Sequence, residues 1–281
     1  MSGITINLSD LDPVAQTLII PLASRAWESQ RDNALLHDPA AVALLSHFGG
    51  DIAKLVSLNT IEQASIVLRN RQFDRYGQAF LETHPDGMVV DIGCGLDTRF
   101  ERLDNGQMTW LGLDLPEVIG LRKKLLPEQP RCQFLACSAL DFRWMEVVSA
   151  EGRPVYFLSE GVLPYFEEAD VKRLFLTMAE RFPGSEIVFD GLSPLSVFVH
   201  QLTTPFLRKS GAHLGWAIRD NCSLESWGPL KMLSEWFYYE ANEPRLGWFN
   251  RLKYFPPMGK MNSVLRYRLG DSTQMGGDIS G

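Results

Sequence analysis

The segment Met88–Arg99, with the sequence MVVDIGCGLDTR, constrains the fold more than any other part of the chain. A short apolar run that is rich in β-forming residues contains an acid, Asp91, and then turns through Gly93 and Gly95. Asp97-Thr98 follows the turn, and both residue types are favoured at helix N-caps. A strand, a glycine turn and a helix start in this order bring the backbone close to a bound nucleotide-like ligand.

The turn departs from the dinucleotide-binding fingerprint G-x-G-x-x-G, which would place a glycine where this chain has Thr98. The third glycine normally lets helix and strand approach beside a pyrophosphate. A second apolar run, Trp110–Asp114, also ends in an acid, at the position where a carboxylate accepts the two hydroxyls of a ribose. The pattern therefore favours a nucleoside cofactor without a pyrophosphate, S-adenosylmethionine (SAM), over NAD.

Composition and charge limit the classes of protein to consider. The 281 residues are 45% hydrophobic and 22% charged, which predicts a globular chain with a substantial core. A net charge of −7 argues against a nucleic-acid or anionic-membrane surface, and Arg122-Lys123-Lys124 is expected to be a solvated helix face. The four cysteines lack metal-ligand spacing, so no metal site is expected. Without a signal peptide or a long apolar run, a cytoplasmic protein is expected.

Two regions differ in their pattern. Residues 1–84 are predicted to form a helical cap, and residues 85–281 a domain in which strands and helices alternate at the spacing of a parallel sheet. An aromatic-rich helical lid is expected at 194–231, and the parts should function as one unit. The predicted strands lie at 88–92, 109–113, 132–136, 154–159 and 185–190, with closing strands near 235–239 and 263–268, and helices near 116–125, 142–149 and 167–182.

Five motifs are distributed along the chain: Pro21–Ser29, His37-Asp38-Pro39, Arg69–Asp74, Gly93–Arg99 and Ser159–Phe166. Together they resemble those of a known family, the class I SAM-dependent methyltransferases of the leucine carboxyl methyltransferase type, including the tetracenomycin-type polyketide O-methyltransferases. The resemblance covers roughly residues 13–270, and a Gly-Leu-Asp-Thr-Arg loop combined with a later Glu-Gly-Val-Leu segment is its most specific part.

The resemblance implies an α/β fold with a Rossmann-like methyltransferase sheet of seven strands. This sheet is mostly parallel, its last strand is antiparallel, and helices flank it. SAM would be the methyl donor and S-adenosylhomocysteine (SAH) the product.

The resemblance also assigns cofactor-binding roles to individual positions. Arg69, with Arg71 as the alternative, would bind the methionine carboxylate, because a guanidinium offers a carboxylate a bidentate fork. Asp114 would hold the ribose hydroxyls. The remaining positions are Gly93 and Gly95 beneath the cofactor, Ser138 and Ala139 at the adenine edge (some relatives have an acid in place of Ser138), and Glu160 near the methionine amino group or the acceptor pocket.

The catalytic candidates depend on the acceptor. Methyl transfer from a sulfonium needs alignment above all, and a base is needed where a hydroxyl proton must leave. The candidate catalytic residues are Glu160, Tyr165 and His200, and His213 is a further possible base. The expected activity is O-methylation of a small-molecule hydroxyl or carboxylate, such as a polyketide. The alternatives are methylation of a protein C-terminal carboxylate and a non-catalytic SAM-binding module.

Simpler interpretations stay open for several of these side chains. Arg69 and Arg71 are also consistent with solvated helix charges, and Asp114 with a cap on the next helix. Arg25 and Glu28 on the first helix are consistent with an exposed ion pair of little energetic value, whereas the family resemblance would put Arg25 near the mouth of the active site.

Overall fold

A computed structural model describes residues 5–7, 13–56, 58–149, 151–203 and 213–271. It contains a seven-stranded sheet whose strands are β3 (Met88–Ile92), β4 (Thr109–Asp114), β5 (Cys132–Ala136), β6 (Val155–Ser159), β7 (Glu186–Leu192), β8 (Leu230–Phe237) and β9 (Asn262–Leu269). Their spatial order is β5-β4-β3-β6-β7-β9-β8. The first five strands pair in parallel, and β9 runs antiparallel to both β7 and β8. This arrangement confirms the predicted sheet.

Helices cover both faces of the sheet, and side chains that alternate along the strands form two separate cores. Val90 packs on the side of the later helices, together with Phe157 and Phe175. Val89 points to the opposite side, towards Phe73. The helices that flank the sheet are α4 (Thr60–Thr83), α5 (Arg99–Leu103), α6 (Pro116–Leu125), α7 (Trp144–Ser149), α8 (Glu168–Arg181) and α9 (Pro194–Thr203).

The amino-terminal region is helical and packs on the glycine turn. Its elements are β1 (Ile6–Asn7), α1 (Pro13–Ser29), α2 (Pro39–Leu45), β2 (Phe48–Gly49) and α3 (Ile52–Val56), and β1 pairs with β2 in a separate two-stranded sheet. Buried side chains of α1 and α2, such as Leu22 and Leu44, form a third core that also takes in Leu96 from the turn. The cap and the sheet domain therefore share a buried apolar contact, which stabilises both.

The region after β7 differs from the expected continuous helical lid. Within 194–231, α9 is helical and Ser223–Trp227 forms a 3-10 helix, whereas 213–222 have no regular helix and Leu230 already begins β8. Residues 204–212, also part of the predicted lid, lie outside the described residues. The closing strand near 235–239 begins earlier than predicted, and its last part turns into a 3-10 helix at Tyr238–Ala241.

Further 3-10 turns at Leu163–Tyr165 and Pro244–Tyr254, and the short helix α10 (Pro256–Gly259), complete the described elements. Among the described residues, no helix combines the length and the apolar character that crossing a bilayer requires.

Candidate active site

Four acidic side chains converge at the carboxyl edge of the sheet. Asp91 lies near the end of β3, Asp114 at the end of β4, Glu160 directly after β6 and Asp190 in the last part of β7. The chain leaves β3 outwards through β4 and β5 and returns to the other side of β3 with β6. Such a reversal of strand order opens a crevice at the carboxyl ends of the strands, where α/β proteins bind their ligands.

The glycine turn has a shape that other residues would not adopt. Gly93 and Gly95 have positive φ values of 78° and 43°. A Cβ atom at Gly93 would lie 2.2 Å from the side chain of Val162, so this position excludes a side chain on steric grounds as well. The turn is held to its neighbour strand, because the amides of Gly93 and Cys94 donate to the carbonyl of Leu113 at 2.8 and 3.1 Å.

Asp114 holds the tip of this turn. Its Oδ2 accepts a hydrogen bond from the Gly95 amide at 2.8 Å, and its Oδ1 accepts one from the Leu115 amide at 2.7 Å. Burial raises the pKa of this carboxyl, although both amide hydrogen bonds oppose the increase. Asp114 is not the N-cap of α6, a position that Leu115 occupies. A half-buried carboxylate with lone pairs to spare suits the hydroxyls of a ribose.

Asp91 is a buried carboxyl with unused hydrogen-bonding capacity. Its side chain is 2% exposed, and its Oδ2 has no hydrogen-bond partner among the described residues. Burial raises the pKa of Asp91 well above its ordinary value, and the nearby Asp97 raises it further. A buried polar atom without a partner is costly in a folded protein. This position beside the glycine turn therefore fits a ligand that brings its own donor, such as the ammonium group of SAM.

Arg69 lies between two of the acids. Its Nε donates to Glu160 Oε1 at 2.7 Å and its Nη1 lies 3.3 Å from Asp190 Oδ2. Burial would lower the pKa of Arg69, but Glu160, Tyr238 and Asp190 together raise it above its ordinary value, so the side chain stays cationic. Asp190 is itself anchored, because its Oδ1 accepts from the Gly161 amide at 2.7 Å. The guanidinium is therefore fixed in orientation, as a carboxylate-binding fork requires.

Glu160 is held from two further directions. Its Oε1 also accepts from Asn70 Nδ2 at 3.0 Å, and its Oε2 accepts from Arg99 Nη2 at 2.7 Å. Arg99 is fully buried and also donates to Asp74 Oδ1 at 2.5 Å and to Asp97. Because both carboxylate oxygens face guanidinium groups, Glu160 is a fixed acceptor rather than a mobile acid.

The ion pairs continue from this site into the cap. Arg102 Nη1 donates to Asp38 Oδ2 at 2.5 Å, and Arg25 Nε donates to the same oxygen at 3.0 Å. Thr98 joins them through its hydroxyl, which donates to Asp38 Oδ2 at 2.6 Å. Thr98 occupies the N-cap position of α5, as its residue type suggests, but among the described residues its side chain makes no capping hydrogen bond to that helix. Asp97 Oδ1 instead accepts from the Arg99 amide at 2.9 Å.

Three expectations about charged side chains on helices need correction. Arg25 and Glu28 are both buried and do not pair with each other. Arg25 instead donates to the Leu96 carbonyl at 2.9 Å, whereas Glu28 accepts two hydrogen bonds from Arg245, at 2.7 and 3.1 Å. Arg122 is also buried, at 2% exposure, and is not part of a solvated face.

The structure separates the two arginines proposed for the methionine carboxylate. Arg69 points to the acids of the crevice, whereas Arg71, two residues further along α4, has Arg75, Glu243 and Arg245 as its charged neighbours. Burial and the neighbouring Arg75 lower the pKa of Arg71. Residues two apart on a helix point in different directions, so the two arginines cannot both face the crevice.

The expected adenine-edge residues lie at the same edge of the sheet. Ser138 follows β5, and the amide of Cys137 donates to the Asp114 carbonyl at 2.9 Å, which places this turn beside β4. Ser138 Oγ accepts from the Leu140 amide at 3.2 Å, and the carbonyl of the buried Ala139 accepts from Trp144 Nε1 at 3.0 Å.

Tyr165 and His200 both lie within electrostatic reach of Arg69. Tyr165 is 44% exposed, and burial of the rest of its side chain, with Asp190 nearby, raises its pKa. Burial and the charge of Arg69 lower the pKa of His200, with Glu62 acting in the opposite direction. His213 is exposed and its Nδ1 lies 3.3 Å from Gln201 Nε2.

Sequence reasoning missed Asp190, Asn70 and Tyr238 as members of the site. Asp190 had a usable signal, because it ends a predicted strand just as Asp91 and Asp114 lie near the ends of theirs. Tyr238 had none, because it reaches Arg69 from a part of the chain that follows β8. No set of three or more His, Cys, Asp or Glu side chains in the described ranges is arranged to hold a metal ion.

Comparison with known proteins decides the family. The family model described as leucine carboxyl methyltransferase matches residues 19–179. The chain is 31% identical over 236 residues to the tetracenomycin polyketide synthesis O-methyltransferase TcmP of Streptomyces glaucescens, covering 83% of this chain and 85% of TcmP. The chain belongs to the leucine carboxyl methyltransferase family. It is therefore a SAM-dependent methyltransferase.

Other relatives agree with this membership. The SAM-dependent methyltransferase dpfgK of Gibberella zeae is 27% identical over 278 residues, covering 91% of this chain and 93% of dpfgK. Among solved structures, a candidate methyltransferase from Thermobifida fusca superposes with a TM-score of 0.56 at 16% identity, covering 93% of this chain and 99% of that one. This similarity supports the methyltransferase fold of this leucine carboxyl methyltransferase family member.

The residues of the crevice fit the cofactor of the family. The glycine turn presents bare backbone at Gly93 and Gly95, Asp114 offers acceptors to a ribose, and Arg69 offers donors to a carboxylate. The unpartnered Oδ2 of Asp91 can accept a hydrogen bond that a ligand donates. Acids and a cation are thus arranged to match the opposite charges of the methionine part of SAM.

Proposed function

We propose that this protein is an O-methyltransferase whose acceptor is a hydroxyl group of a small, largely apolar molecule. The observation that carries the proposal is the position of His200 and Tyr165. Tyr165 ends the 3-10 turn that follows Glu160, and His200 lies on the helix that follows β7, so both come from segments that leave the carboxyl edge of the sheet, and the charge of Arg69 acts on both. An acceptor bound between them and the crevice would lie next to the transferred methyl group.

The protonation states suit a hydroxyl acceptor. Because burial and Arg69 lower the pKa of His200, its imidazole is neutral at pH 7 and can accept a proton. Because burial and Asp190 raise the pKa of Tyr165, its phenol keeps its proton and can donate a hydrogen bond to the acceptor oxygen. These are the two states that deprotonation of a bound phenol or alcohol requires.

The proposed reaction is an in-line displacement. SAM supplies a methyl group on a positively charged sulfur, so the new O–CH3 bond forms as the S–CH3 bond breaks and SAH leaves. His200 takes the hydroxyl proton of the acceptor. Arg69, oriented by Glu160 and Asp190, fixes the methionine carboxylate and thereby the direction of the sulfur.

The surface around α9 supports an apolar acceptor. Leu195, Phe198 and Leu202 are 40%, 59% and 58% exposed, and their spacing of three and four residues puts them on one side of the helix that carries His200. Binding sites for small molecules are lined mainly by such side chains. The name of TcmP, a polyketide O-methyltransferase, points in the same direction.

A second candidate is methylation of a protein C-terminal carboxylate. The description of the matching family model, leucine carboxyl methyltransferase, favours it. A carboxylate is already ionised at pH 7 and needs no base. The two activities therefore differ in their dependence on His200.

The test is transfer of radiolabelled methyl from SAM into a panel of phenols, aliphatic alcohols, carboxylic acids and peptides with free C-termini. We expect incorporation into a phenol or alcohol, as an alkali-stable ether. An alkali-labile ester on a peptide would favour the second candidate. Binding of SAM without transfer to any member of the panel would support a non-catalytic SAM-binding module.

The matched pair of variants is His200→Gln and His213→Gln. The first should lower kcat for a hydroxyl acceptor by about a hundredfold, the effect typical of losing a general base, while SAH affinity stays unchanged. The second removes an exposed histidine and should leave kcat unchanged. A His200→Gln variant with full activity on the hydroxyl acceptor would contradict the proposed role of this residue.

A further inference from the structure

Arg122 is a buried arginine on α6 that contacts the back of the glycine turn. Its Nη1 donates to the carbonyls of Cys94 and Gly95 at 3.1 and 2.9 Å. Its guanidinium carbon lies 4.4 Å from the ring centre of Phe134, within the range of a cation–π interaction. The side chain is only 2% exposed, so these contacts take the place of the hydrogen bonds that water would make to an exposed guanidinium.

The turn needs such support because its own residues do not fix its shape. Gly93 and Gly95 both have positive φ, and glycine has more accessible backbone conformations than any other residue. On the cofactor side, the Gly95 amide donates to Asp114 at 2.8 Å. On the opposite side, Arg122 occupies the carbonyl of the same residue. The peptide groups around Gly95 are thus held at both ends.

We infer that Arg122 is a positioning residue for the cofactor: it fixes the orientation of the Gly93–Gly95 backbone against which SAM binds. Arg122 contacts the crevice only through the backbone of the turn, and among the described residues it forms no hydrogen bond or ion pair with Asp91, Asp114 or Arg69. Arg122 acts on SAM indirectly, by holding the carbonyls of Cys94 and Gly95. The Gly95 amide in turn donates to the Asp114 carboxylate and so helps to orient it. Holding the turn in advance lowers the entropy cost of binding.

A cavity beside the guanidinium shows that Arg122 is not there only to fill space. The cavity has a volume of about 80 Å3 and is lined by Arg122, Asp97, Thr98 and Gln129, among others. The Nε of Arg122 is buried and has no partner among the described residues. Simple packing would favour an apolar side chain at this position, because a buried guanidinium with an unsatisfied nitrogen is costly. The contact with the two carbonyls is what an apolar residue could not supply.

The experiment compares SAH affinity by calorimetry in Arg122→Met, Arg122→Lys and two controls. Lys123→Met removes the adjacent positive charge, which is exposed and pairs with Glu128. Met178→Ala lowers stability by opening a cavity in the last turn of α8, away from the carboxyl edge of the sheet. Titrations are run at a temperature where circular dichroism shows every variant folded.

We expect Arg122→Met to raise the Kd for SAH at least tenfold and Arg122→Lys to give an intermediate value, because an ammonium can still donate to a carbonyl. Both controls should keep the wild-type Kd. Hydrogen exchange of the free protein should show faster exchange in the Cys94–Gly95 segment of Arg122→Met and not in Met178→Ala. Should Arg122→Met fail to fold, Arg122→Lys carries the comparison.

A folded Arg122 variant with a Kd within twofold of wild type would overturn the inference, as would an equal loss of affinity in Met178→Ala. The inference rests on the SAM dependence of the family and not on the acceptor proposed above. Failure of the methylation panel therefore leaves it standing. Wild-type protein that does not bind SAH would overturn it together with the cofactor site.

Discussion

The substitution Arg99→Met tests the buried ion pairs that organise the site. Arg99 is fully buried, and it donates to Asp74 and Glu160 at 2.5 and 2.7 Å and also to Asp97. Methionine replaces the aliphatic part of the arginine side chain and carries no charge. The variant would therefore leave three carboxylates facing one another without their shared cation.

The expected cost follows from the burial of these groups. Removing one partner of a buried ion pair destabilises a protein by about 3 to 5 kcal/mol. For 281 residues, an unfolding entropy of about 0.6 kcal/mol/K turns this cost into a decrease in Tm of about 5 to 8 °C. Glu160 also loses one of its anchors, so SAH affinity should fall by at least tenfold.

The stability lost in Arg99→Met should depend on pH, and the direction of this dependence follows from the pKa values of the carboxyls that Arg99 contacts. In the wild type, burial raises the pKa of Asp74 and of Asp97, but Arg99 and Arg102 lower both below their ordinary values. Their stabilising contribution is complete above about pH 4, the pKa in the unfolded chain, and is lost as pH falls through the lower folded pKa. Once Arg99 is removed, we expect burial and the mutual repulsion of Asp74 and Asp97 to raise the folded pKa of at least one of them above its unfolded value, so the variant loses stability as pH increases through that pKa. The difference between the proteins is therefore larger at pH 8 than at pH 5.

Urea unfolding at pH 5 and pH 8, followed by tryptophan fluorescence, measures this difference. We expect it to shrink by at least about 1.4 kcal/mol at the lower pH, the value of one pKa unit for one group. Arg143→Met is the control, because Arg143 is exposed and pairs with Asp141 at the surface, and it should cause no measurable change. The reasoning would be refuted if the free energies of unfolding of wild type and Arg99→Met differed by less than about 1 kcal/mol, or if they differed by the same amount at both pH values.

Three further predictions concern the cofactor and the acceptor. Arg69→Ala should raise the Kd for SAH ten- to a hundredfold in calorimetry through loss of a charged hydrogen-bond donor, whereas Arg71→Ala should not. Equal effects of the two substitutions would contradict the assignment of the methionine carboxylate to Arg69. Gly93→Ala should lower the free energy of urea unfolding by about 1 to 3 kcal/mol more than Gly106→Ala. Both positions have positive φ, but of the two only Gly93 would bring a Cβ within 4 Å of another atom, so similar losses would contradict the steric argument. With a hydroxyl acceptor, kcat should fall only below pH 6.5, because the lowered pKa of His200 keeps its imidazole neutral above that pH. A pH–rate profile with its midpoint above pH 7 would exclude His200 as the base.

Most of the sheet could be predicted because its signals are local. Strand residues alternate between the two faces or form continuous apolar runs, and the turns between them carry glycine, proline and acids. The predicted strands at 88–92 and 132–136 agree with β3 and β5 in both bounds. The prediction failed after β7, where Trp216 was assigned to a helix but lies in a stretch without one. Its side chain packs on the core beside Phe189 without needing a helix.

The candidate site was predictable where a residue lies near the end of a strand or in a glycine turn. Asp114 and Gly95 were expected together and form a hydrogen bond. Charged helix residues were less predictable, because a helical sequence does not show which face another element will cover. Arg122 was therefore expected in solvent, and Arg25 either in an exposed ion pair or near the mouth of the active site, yet both are buried.

The sequence by itself determined the glycine turn, the order of strands and helices and, through its motifs, the family and the methyl donor. These properties depend on neighbours along the chain. Tertiary structure alone decided which charges meet. Asp190 reaches Arg69 across 121 positions of sequence, and Asp38 reaches Arg102 across 64. A buried charge is stable only beside its counter-charge, and that neighbour is supplied by the packing of distant elements rather than by the local sequence.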